Sequence, residues 1–216
     1  MKKKRVRFCL IILIPVIVFD WMLLLRMEQY VSDKVTAAAG TAQLITREIQ
    51  YFPIAVSTNA PLSFDFADSW MAERTYGGSR SHEGCDIITT EDVRGIYPVV
   101  SMTDGVIESI GWLQLGGYRI GIRSPGGIYY YYAHMESYAA GLAEGQDIRA
   151  GQFLGFVGDS GYGEEGTVGQ FLVHLHIGIY VPDADGEDAA VNPYPYLEAV
   201  RETVIRAAYT NPEDSR

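Results

Sequence analysis

Residues 173–180 read Val-His-Leu-His-Ile-Gly-Ile-Tyr, and this alternation is typical of a β-strand with one buried face. Successive side chains of a strand point to opposite faces, so the aliphatic residues at alternate positions would enter a core. His174, His176 and Tyr180 would then share the opposite face. The segment therefore predicts a half-buried strand that presents two imidazoles side by side.

The same β character extends over most of the chain after residue 64. Glycine becomes frequent there, and short β-branched or aromatic runs alternate with turn residues. The turn at 124–127 predicts a hairpin, and Pro98 suits a strand end because it cannot donate to a ladder. The predicted strands lie at 97–102, 105–110, 118–123, 128–134, 153–157 and 171–180. We therefore predict a mainly β domain over residues 64–197, with two antiparallel sheets that form an open groove.

The β region is expected to end at Asn192-Pro193-Tyr194-Pro195, because the two prolines interrupt a ladder. After it, the spacing of Leu197, Val200 and Val204 predicts a helix from residue 196 to about residue 208. Residues 198–216 are accordingly assigned to a carboxyl-terminal helix and tail.

Residues 1–26 differ from the rest because a basic cluster precedes a long apolar run. Phe8–Leu25 has 18 residues, enough to cross hydrocarbon as a helix. Asp20 opposes insertion by roughly 2.5 to 3.5 kcal/mol, but thirteen Leu, Ile, Val and Phe residues each favour it by roughly 0.3 to 0.6 kcal/mol. The positive-inside rule then predicts a cytoplasmic tail at 1–7 and a transmembrane anchor at 8–26. The chain would be a single-pass protein of the cell membrane with an extracellular carboxyl-terminal part.

A cleaved signal peptide is the alternative to this anchor. Its small-residue site would lie near Ala37–Ala39, more than ten residues beyond the apolar run, which is too far for a signal peptide. Residues 27–63 are therefore predicted to form a stalk or linker, helical to about Gln50 and broken by Pro53 and Pro61.

Charge and cysteine content argue against a nucleic-acid-binding protein and against a fold stabilised by disulfides. Residues 27–216 hold eleven Lys and Arg against twenty-six Asp and Glu, which disfavours binding to nucleic acid. Cys9 lies in the apolar run and Cys85 in the β region, so no intrachain disulfide framework is expected.

The four histidines fall in three β-like segments, and an aspartate follows the first of them. His82 and Asp86 share a face if their segment is extended, and alternation likewise places His134 on one face with Tyr130 and Tyr132. Catalytic zinc sites keep three protein ligands, commonly imidazole and carboxylate, and leave a fourth position for water. His82, Asp86 and either His174 or His176 would satisfy that count. The two remaining imidazoles would be available to move protons, which favours a hydrolase.

This set of motifs resembles the M23 metallopeptidases, the lysostaphin-like and LytM-like peptidoglycan endopeptidases, over residues 70–197. The histidine motifs that carry the resemblance are His82-x-x-x-Asp86, His134 after a tyrosine-rich strand, and His174-x-His176. Supporting segments are Thr103-Asp104-Gly105-Val106, Gly145-Gln146-Asp147-Ile148, Gly151-Gln152-Phe153-Leu154-Gly155 and Asn192-Pro193-Tyr194-Pro195-Tyr196-Leu197.

The resemblance implies a lysostaphin-like fold of the duplicated hybrid motif type. It implies Zn²⁺ held by His82, Asp86 and His176, with His134 and His174 as an unliganded catalytic pair. It further implies that Tyr76, six residues before the first ligand, donates to the developing oxyanion. The substrates would be peptides of peptidoglycan, hydrolysed at an amide bond.

The sequence departs from the family pattern at three places, one of which is Ile177-Gly178 after His176, where many relatives have Phe-Glu. The loop Ser160–Val173 is longer than the usual glycine-rich loop and carries Glu164 and Glu165. Cys85 replaces an aliphatic residue beside Asp86, and strand alternation predicts a buried apolar role for it rather than a ligand role.

A non-catalytic function is the alternative reading. Relatives that have lost ligands serve as scaffolds, and a membrane-tethered scaffold could bind a partner protein in division or sporulation. The complete set of ligands in this sequence favours catalysis.

Overall fold

The computed structural model describes residues 2–58, 62–76, 78–183 and 185–209, with helix side chains described from residue 19 onward. The chain divides into two compact units, residues 1–44 and residues 45–216. The described residues form two helices, α1 (Lys2–Glu48) and α2 (Tyr194–Ala199). They also form fourteen strands: β1 (Val56–Ser57), β2 (Phe64–Phe66), β3 (Glu73–Arg74), β4 (Arg80–Ser81), β5 (Cys85–Thr89), β6 (Pro98–Val100), β7 (Gly105–Leu113), β8 (Gly117–Arg123), β9 (Tyr129–Tyr138), β10 (Asp147–Ile148), β11 (Phe153–Val157), β12 (His174–Pro182), β13 (Asp188–Val191) and β14 (Arg206–Ala207).

The first unit is the greater part of α1. The helix predicted for residues 27 to about 50 is confirmed as far as Glu48. Among the residues whose side chains are described, no helix is long and apolar enough to cross a membrane. Much of the predicted anchor at 8–26 lies outside those residues, since side chains before residue 19 are not described.

The second unit is built on an antiparallel sheet of ten strands. Its main path runs β10-β7-β8-β9-β12-β5-β2, and β11, β6 and β13 join it off this path. The predicted strands are all present with small shifts of their ends, and β8 and β9 form the expected hairpin around residues 124–127. Pro98 begins β6, a strand that pairs only with β11 among the named strands. The mainly β, antiparallel character predicted from the sequence is therefore confirmed.

Alternation along β12 also matches the prediction. Leu175, Ile177 and Ile179 are fully buried, whereas His174 and His176 are half-buried on the opposite face. The buried set continues through β5, β8 and β9 and forms the core beneath the sheet. Complete burial of a Leu or Ile side chain stabilises the fold by about 1.5 to 3 kcal/mol, so β12 is strongly held in register.

The two sheets expected from the sequence are connected, because hydrogen bonding joins ten strands into one sheet. The joining strand is β9, which is ten residues long. Its first half pairs with β12, and its second half pairs with β11. One long strand shared between two partners keeps the ladder continuous where two sheets were expected.

The compact unit starts before residue 64, the domain boundary expected from the sequence. Phe52 and Ile54 are completely buried, and Phe52 stacks on Phe64 with ring centroids 4.8 Å apart. β1 pairs in parallel with β14, so the chain just after α1 is fixed at both its side chains and its backbone. Residues 45–58 are thus part of the folded unit rather than a linker.

The helix predicted from residue 196 to about residue 208 is wrong beyond Ala199, where α2 ends. Val200, Thr203, Val204 and Ile205 are β-branched, which lowers helix propensity. The backbone instead bonds to the segment after α1: the Phe52 amide donates to the Thr203 carbonyl, and the Val56 amide to the Ile205 carbonyl. Pairing between distant segments therefore outweighs the weak helical spacing. Residues 210–216 of the predicted tail lie outside the described residues.

Substituting Phe52→Ala tests whether residues 45–58 belong to the folded unit. Loss of this buried ring should lower the free energy of unfolding by about 3 to 5 kcal/mol. Denaturant unfolding of the full chain, followed by near-ultraviolet circular dichroism, measures the change. Val35→Ala, at an exposed position of α1, is the control and should alter stability by less than about 0.5 kcal/mol. A Phe52→Ala effect as small as the control would restore the linker assignment.

Candidate metal centre

Three polar side chains converge at one point of the sheet. His82 Nε2 lies 3.0 Å from Asp86 Oδ1 and 3.0 Å from His176 Nδ1, and His176 Nδ1 lies 2.8 Å from Asp86 Oδ1. Two imidazoles and one carboxylate form a donor set that suits zinc, whose bonds to such ligands are about 2.0 to 2.2 Å long. Among the described residues, this group of three is the one that can hold a metal ion. The donor set and its spacing therefore fit a zinc site.

Strand register brings two of the three donors together. Asp86 on β5 and His176 on β12 are directly opposite each other in the antiparallel pair. Side chains at directly opposite positions lie on the same face of a sheet, a few ångströms apart. His82 follows β4 and reaches the same point from a loop.

The His82 ring is oriented by a backbone carbonyl. Its Nδ1 lies 3.0 Å from the Ser69 carbonyl oxygen, which can only accept a hydrogen bond. The proton of the neutral ring therefore sits on Nδ1, and the Nε2 lone pair faces Asp86 and His176. An outer contact of this kind fixes the tautomer and direction of a metal-binding histidine.

The Asp86 carboxylate has two different environments. Oδ1 faces the two imidazoles, while Oδ2 accepts a hydrogen bond of 2.9 Å from Arg74 Nη2. Burial acts to raise the pKa of this carboxyl, but the neighbouring His176 and His82 side chains hold the pKa well below its usual range. Asp86 is therefore ionised at neutral pH, with Oδ1 directed toward the point where the three side chains meet.

Gly84 leaves the space that the His176 ring occupies. A Cβ atom built at this position would lie 2.3 Å from His176 Cε1 and 2.7 Å from the Ile177 carbonyl oxygen. Real atoms do not approach this closely, so any side chain at residue 84 would displace the ring or the backbone.

His134 and His174 lie next to the three donors, with ring centroids 4.7 Å apart. His134 Nδ1 donates to the Ser160 carbonyl at 2.8 Å, and His174 Nδ1 donates to the Leu172 carbonyl at 2.7 Å. Each neutral ring thus keeps an unprotonated Nε2. Burial is the main cause that lowers the pKa of both rings, most strongly for His134. Both are neutral at pH 7 and can accept a proton.

The prediction that His134 shares a strand face with Tyr130 and Tyr132 is wrong. Tyr130 and Tyr132 are completely buried in the core, whereas Tyr129 and Tyr131 line the groove. His134 reaches the groove because it adopts a left-handed φ of 63°, and β9 has one extra residue there relative to β8. A bulge of this kind redirects the side chains that follow it.

Tyr76 lies beside the groove but not among the described residues that line it. Its ring stacks on Tyr162 with centroids 4.2 Å apart, and its hydroxyl donates to the Tyr162 carbonyl. Cys85 is fully buried on the opposite side of β5 from Asp86, as alternation predicted. Burial raises the pKa of its thiol to about 12, so it is not an anionic ligand.

The groove has a volume of about 620 Å³ and contains side chains that the sequence analysis did not identify. The most informative are Arg74, Arg80 and Tyr162, together with Tyr129 and Tyr131. The sequence held a signal for the arginines, because both precede the His82-x-x-x-Asp86 motif in an otherwise acidic region. Their closeness to the groove depends on the hairpin of β3 and β4, which the sequence did not predict.

Peptidase family M23 matches residues 80–193, which is more than half of the chain. The chain belongs to peptidase family M23. The family resemblance predicted from the histidine motifs is therefore confirmed.

Proteins similar to this M23 chain include two peptidases that are named for different bonds. An L-Ala–D-Glu endopeptidase of Bacillus subtilis is 40% identical over 148 residues, which are 68% of this chain and 43% of that protein. A structure of a candidate glycyl-glycine endopeptidase, LytM, from Ruminococcus gnavus is 50% identical with a TM-score of 0.71, covering 77% of this chain and 66% of that chain. The catalytic domain of lysostaphin from Staphylococcus simulans is 25% identical with a TM-score of 0.49, covering 62% and 92% of the two chains. The M23 chain thus spans less than half of the Bacillus protein and just under two thirds of the Ruminococcus chain.

Substituting Gly84→Ala tests the geometry of the donor cluster. The added methyl group must displace His176, so zinc affinity should fall about 10- to 100-fold, as when an outer contact of a metal ligand is lost. Competition with a chelator measures the affinity of the full chain for zinc. Gly40→Ala, in α1 with open space around it, is the control and should bind zinc as the wild type does. Unchanged zinc affinity in Gly84→Ala would show that the His176 ring does not occupy the space next to residue 84.

Proposed function

We propose that this M23 protein is a zinc-dependent endopeptidase that hydrolyses an amide bond in the stem peptides of peptidoglycan. The observation that carries the proposal is the triangle of His82, Asp86 and His176 beside two neutral imidazoles. Zinc held by the three donors would polarise the substrate carbonyl and lower the pKa of a bound water. A scaffold without catalysis would need neither the donors nor the two additional histidines.

The chain's own residues prepare the three donors for this task. Ser69 fixes the tautomer of His82, and Arg74 occupies the outer oxygen of Asp86. Asp86 would therefore offer Oδ1 to a metal, since Oδ2 accepts the hydrogen bond from Arg74. Gly84 leaves the space that the His176 ring occupies.

His134 and His174 are proposed to handle protons. Their Nε2 atoms are unprotonated at pH 7, so either ring can take a proton from the attacking water. The same ring can then return the proton to the departing amine, which must be protonated to leave. Because burial keeps both pKa values low, a captured proton is readily given up.

The proposed oxyanion role of Tyr76 requires movement of its hydroxyl group. That hydroxyl donates to the Tyr162 carbonyl, beside the groove. Rotation toward the groove would exchange this hydrogen bond for one to the developing oxyanion. Tyr162 would then control when Tyr76 is available.

The scissile bond is proposed to be the L-Ala–D-Glu bond. The curated relative from Bacillus subtilis, 40% identical over 148 residues, is named for that bond. The similar Ruminococcus chain is named for a glycyl-glycine bond, so the two names point to different substrates. Arg80, which lines the groove without an ion-pair partner among the described residues, favours the acidic substrate.

Zinc-loaded wild-type protein should release D-glutamyl amino termini from purified peptidoglycan, because hydrolysis of an amide leaves one new amine. Mass analysis of the digested muropeptides identifies the bond. His134→Ala should reduce release about 10²- to 10⁴-fold, the usual contribution of a general base. Zinc content should stay unchanged, since His134 is not among the three grouped donors.

The exposed substitution Tyr30→Ala in α1 is the matched control for loss of an aromatic ring and should keep full activity. Full activity in His134→Ala would remove His134 from the mechanism. Absence of any cleavage by the wild type would favour the scaffold alternative.

We also propose that residues 8–26 anchor the protein and hold the catalytic unit at the outer face of the membrane. The proposal rests on the sequence, where the apolar run follows a basic cluster. The full chain should remain with membranes after alkaline carbonate extraction, whereas a variant lacking residues 2–26 should be extracted. Extraction of both proteins would contradict the anchor.

A further inference from the structure

Two arginines face each other beside the candidate metal centre. Arg74 on β3 and Arg80 on β4 are directly opposite in the antiparallel pair, and both line the groove. Like charges at directly opposite positions destabilise a pair of strands unless an anion compensates them. Arg74 has such an anion, since its Nη2 lies 2.9 Å from Asp86 Oδ2.

Arg80 lacks an equivalent partner. In the described part of the chain its guanidinium forms no ion pair, and its one hydrogen bond is from Nη2 to the Tyr162 hydroxyl at 3.1 Å. Its Nε is buried without any acceptor. Buried charged donors are normally satisfied, because water has been removed and nothing else replaces it. The Arg80 guanidinium is thus arranged to bind an anion that comes from outside the protein.

The acidic residues of the groove do not fill this need. Asp86 is paired with Arg74, and Asp188 is paired with Arg123 at 2.8 Å. Glu83, the remaining acid that lines the groove, is exposed to solvent. Arg80 therefore keeps an uncompensated charge two residues before His82, close to where a substrate would lie.

We infer that Arg80 binds a carboxylate of the substrate next to the scissile bond and so selects acidic stem peptides. The inference rests on the proposed function and deepens it by naming the substrate class. A D-glutamyl residue that continues the chain through one carboxyl group keeps the other as a free carboxylate. A guanidinium binds such a group with two parallel hydrogen bonds. A glycyl-glycine bond offers no carboxylate at this place, so it gains nothing from Arg80.

Two peptides that differ in one group test this inference. Both contain an L-alanyl-D-glutamyl bond continued through the γ-carboxyl group; one has a free α-carboxylate and the other an α-carboxamide. The full-length zinc-loaded protein should hydrolyse the carboxylate peptide with a kcat/KM about 10- to 100-fold higher, as expected for a charged hydrogen bond. Mass spectrometry of the released D-glutamyl amine measures both rates.

Arg80→Gln should remove this preference. Its kcat/KM on the carboxylate peptide should fall about 10- to 100-fold, whereas its rate on the carboxamide peptide should stay within about threefold of wild type. Arg80→Lys keeps the charge without the paired donors and should retain part of the preference. Arg201→Gln removes a half-buried arginine that pairs with Asp65 and Glu198 and is the control for charge alone. It should behave as wild type on both peptides.

Several results would overturn the inference and are distinguishable from failure of the proposed function. Equal rates of the wild type on the two peptides would exclude recognition of the carboxylate while leaving hydrolysis of the stem bond intact. An equal slowing of both peptides by Arg80→Gln would make Arg80 a structural residue. Preference for a pentaglycine peptide over both would reject the inference and the proposed bond together. The wild-type comparison needs no variant, so poor folding of Arg80→Gln cannot hide the answer.

Discussion

The pairing of β5 with β12 is the interaction on which the candidate site depends. It places Asp86 directly opposite His176, and the apolar residues of the same two strands are buried on the other face. A shift of register by one residue would turn all of these side chains over, burying two histidines and exposing Leu175 and Ile177. The free energy of core burial therefore maintains the spacing of the polar donors. Stability and site geometry are fixed by one register.

A bulge in β9 at His134 turns a side chain into the groove, which a regular strand would not do. Regular alternation along β9 would put His134 in the core with Tyr130 and Tyr132, away from His174. The left-handed φ of His134 and the extra residue at this point turn the ring into the groove instead. A non-glycine residue in this region is strained by about 1 to 3 kcal/mol, and such strain is common at functional sites. Its hydrogen bond to Ser160 holds the ring once it is turned.

The sequence was sufficient for features that depend on local pattern or on a motif. Alternation in residues 173–180 predicted both the core face and the histidine face, and the family resemblance distinguished His176 from His174 as the member of the donor cluster. Features that depend on contacts between distant segments were not predictable in the same way. The bulge at His134 leaves no periodic signal, and the strand at 206–207 forms because residues 56–57 supply a partner. The opposed arginines required knowledge of the β3–β4 register.

The loop at 160–173 contacts both Tyr76 and Arg80 through Tyr162. The backbone carbonyl of Tyr162 accepts a hydrogen bond from the Tyr76 hydroxyl. The side-chain hydroxyl of Tyr162 accepts a hydrogen bond from Arg80. The loop is held by its own contacts, including the Gly169 amide on Asp159 at 2.8 Å and the Trp112 indole on the Gly163 carbonyl at 3.3 Å. Tyr162 adopts a left-handed φ of 60°, a backbone conformation that is unfavourable for a tyrosine. A substrate carboxylate that took the place of the Tyr162 hydroxyl on Arg80 would weaken one of the contacts that keep Tyr162 there. Release of Tyr162 would in turn free Tyr76, so that recognition of the acidic residue and completion of the oxyanion site would occur together.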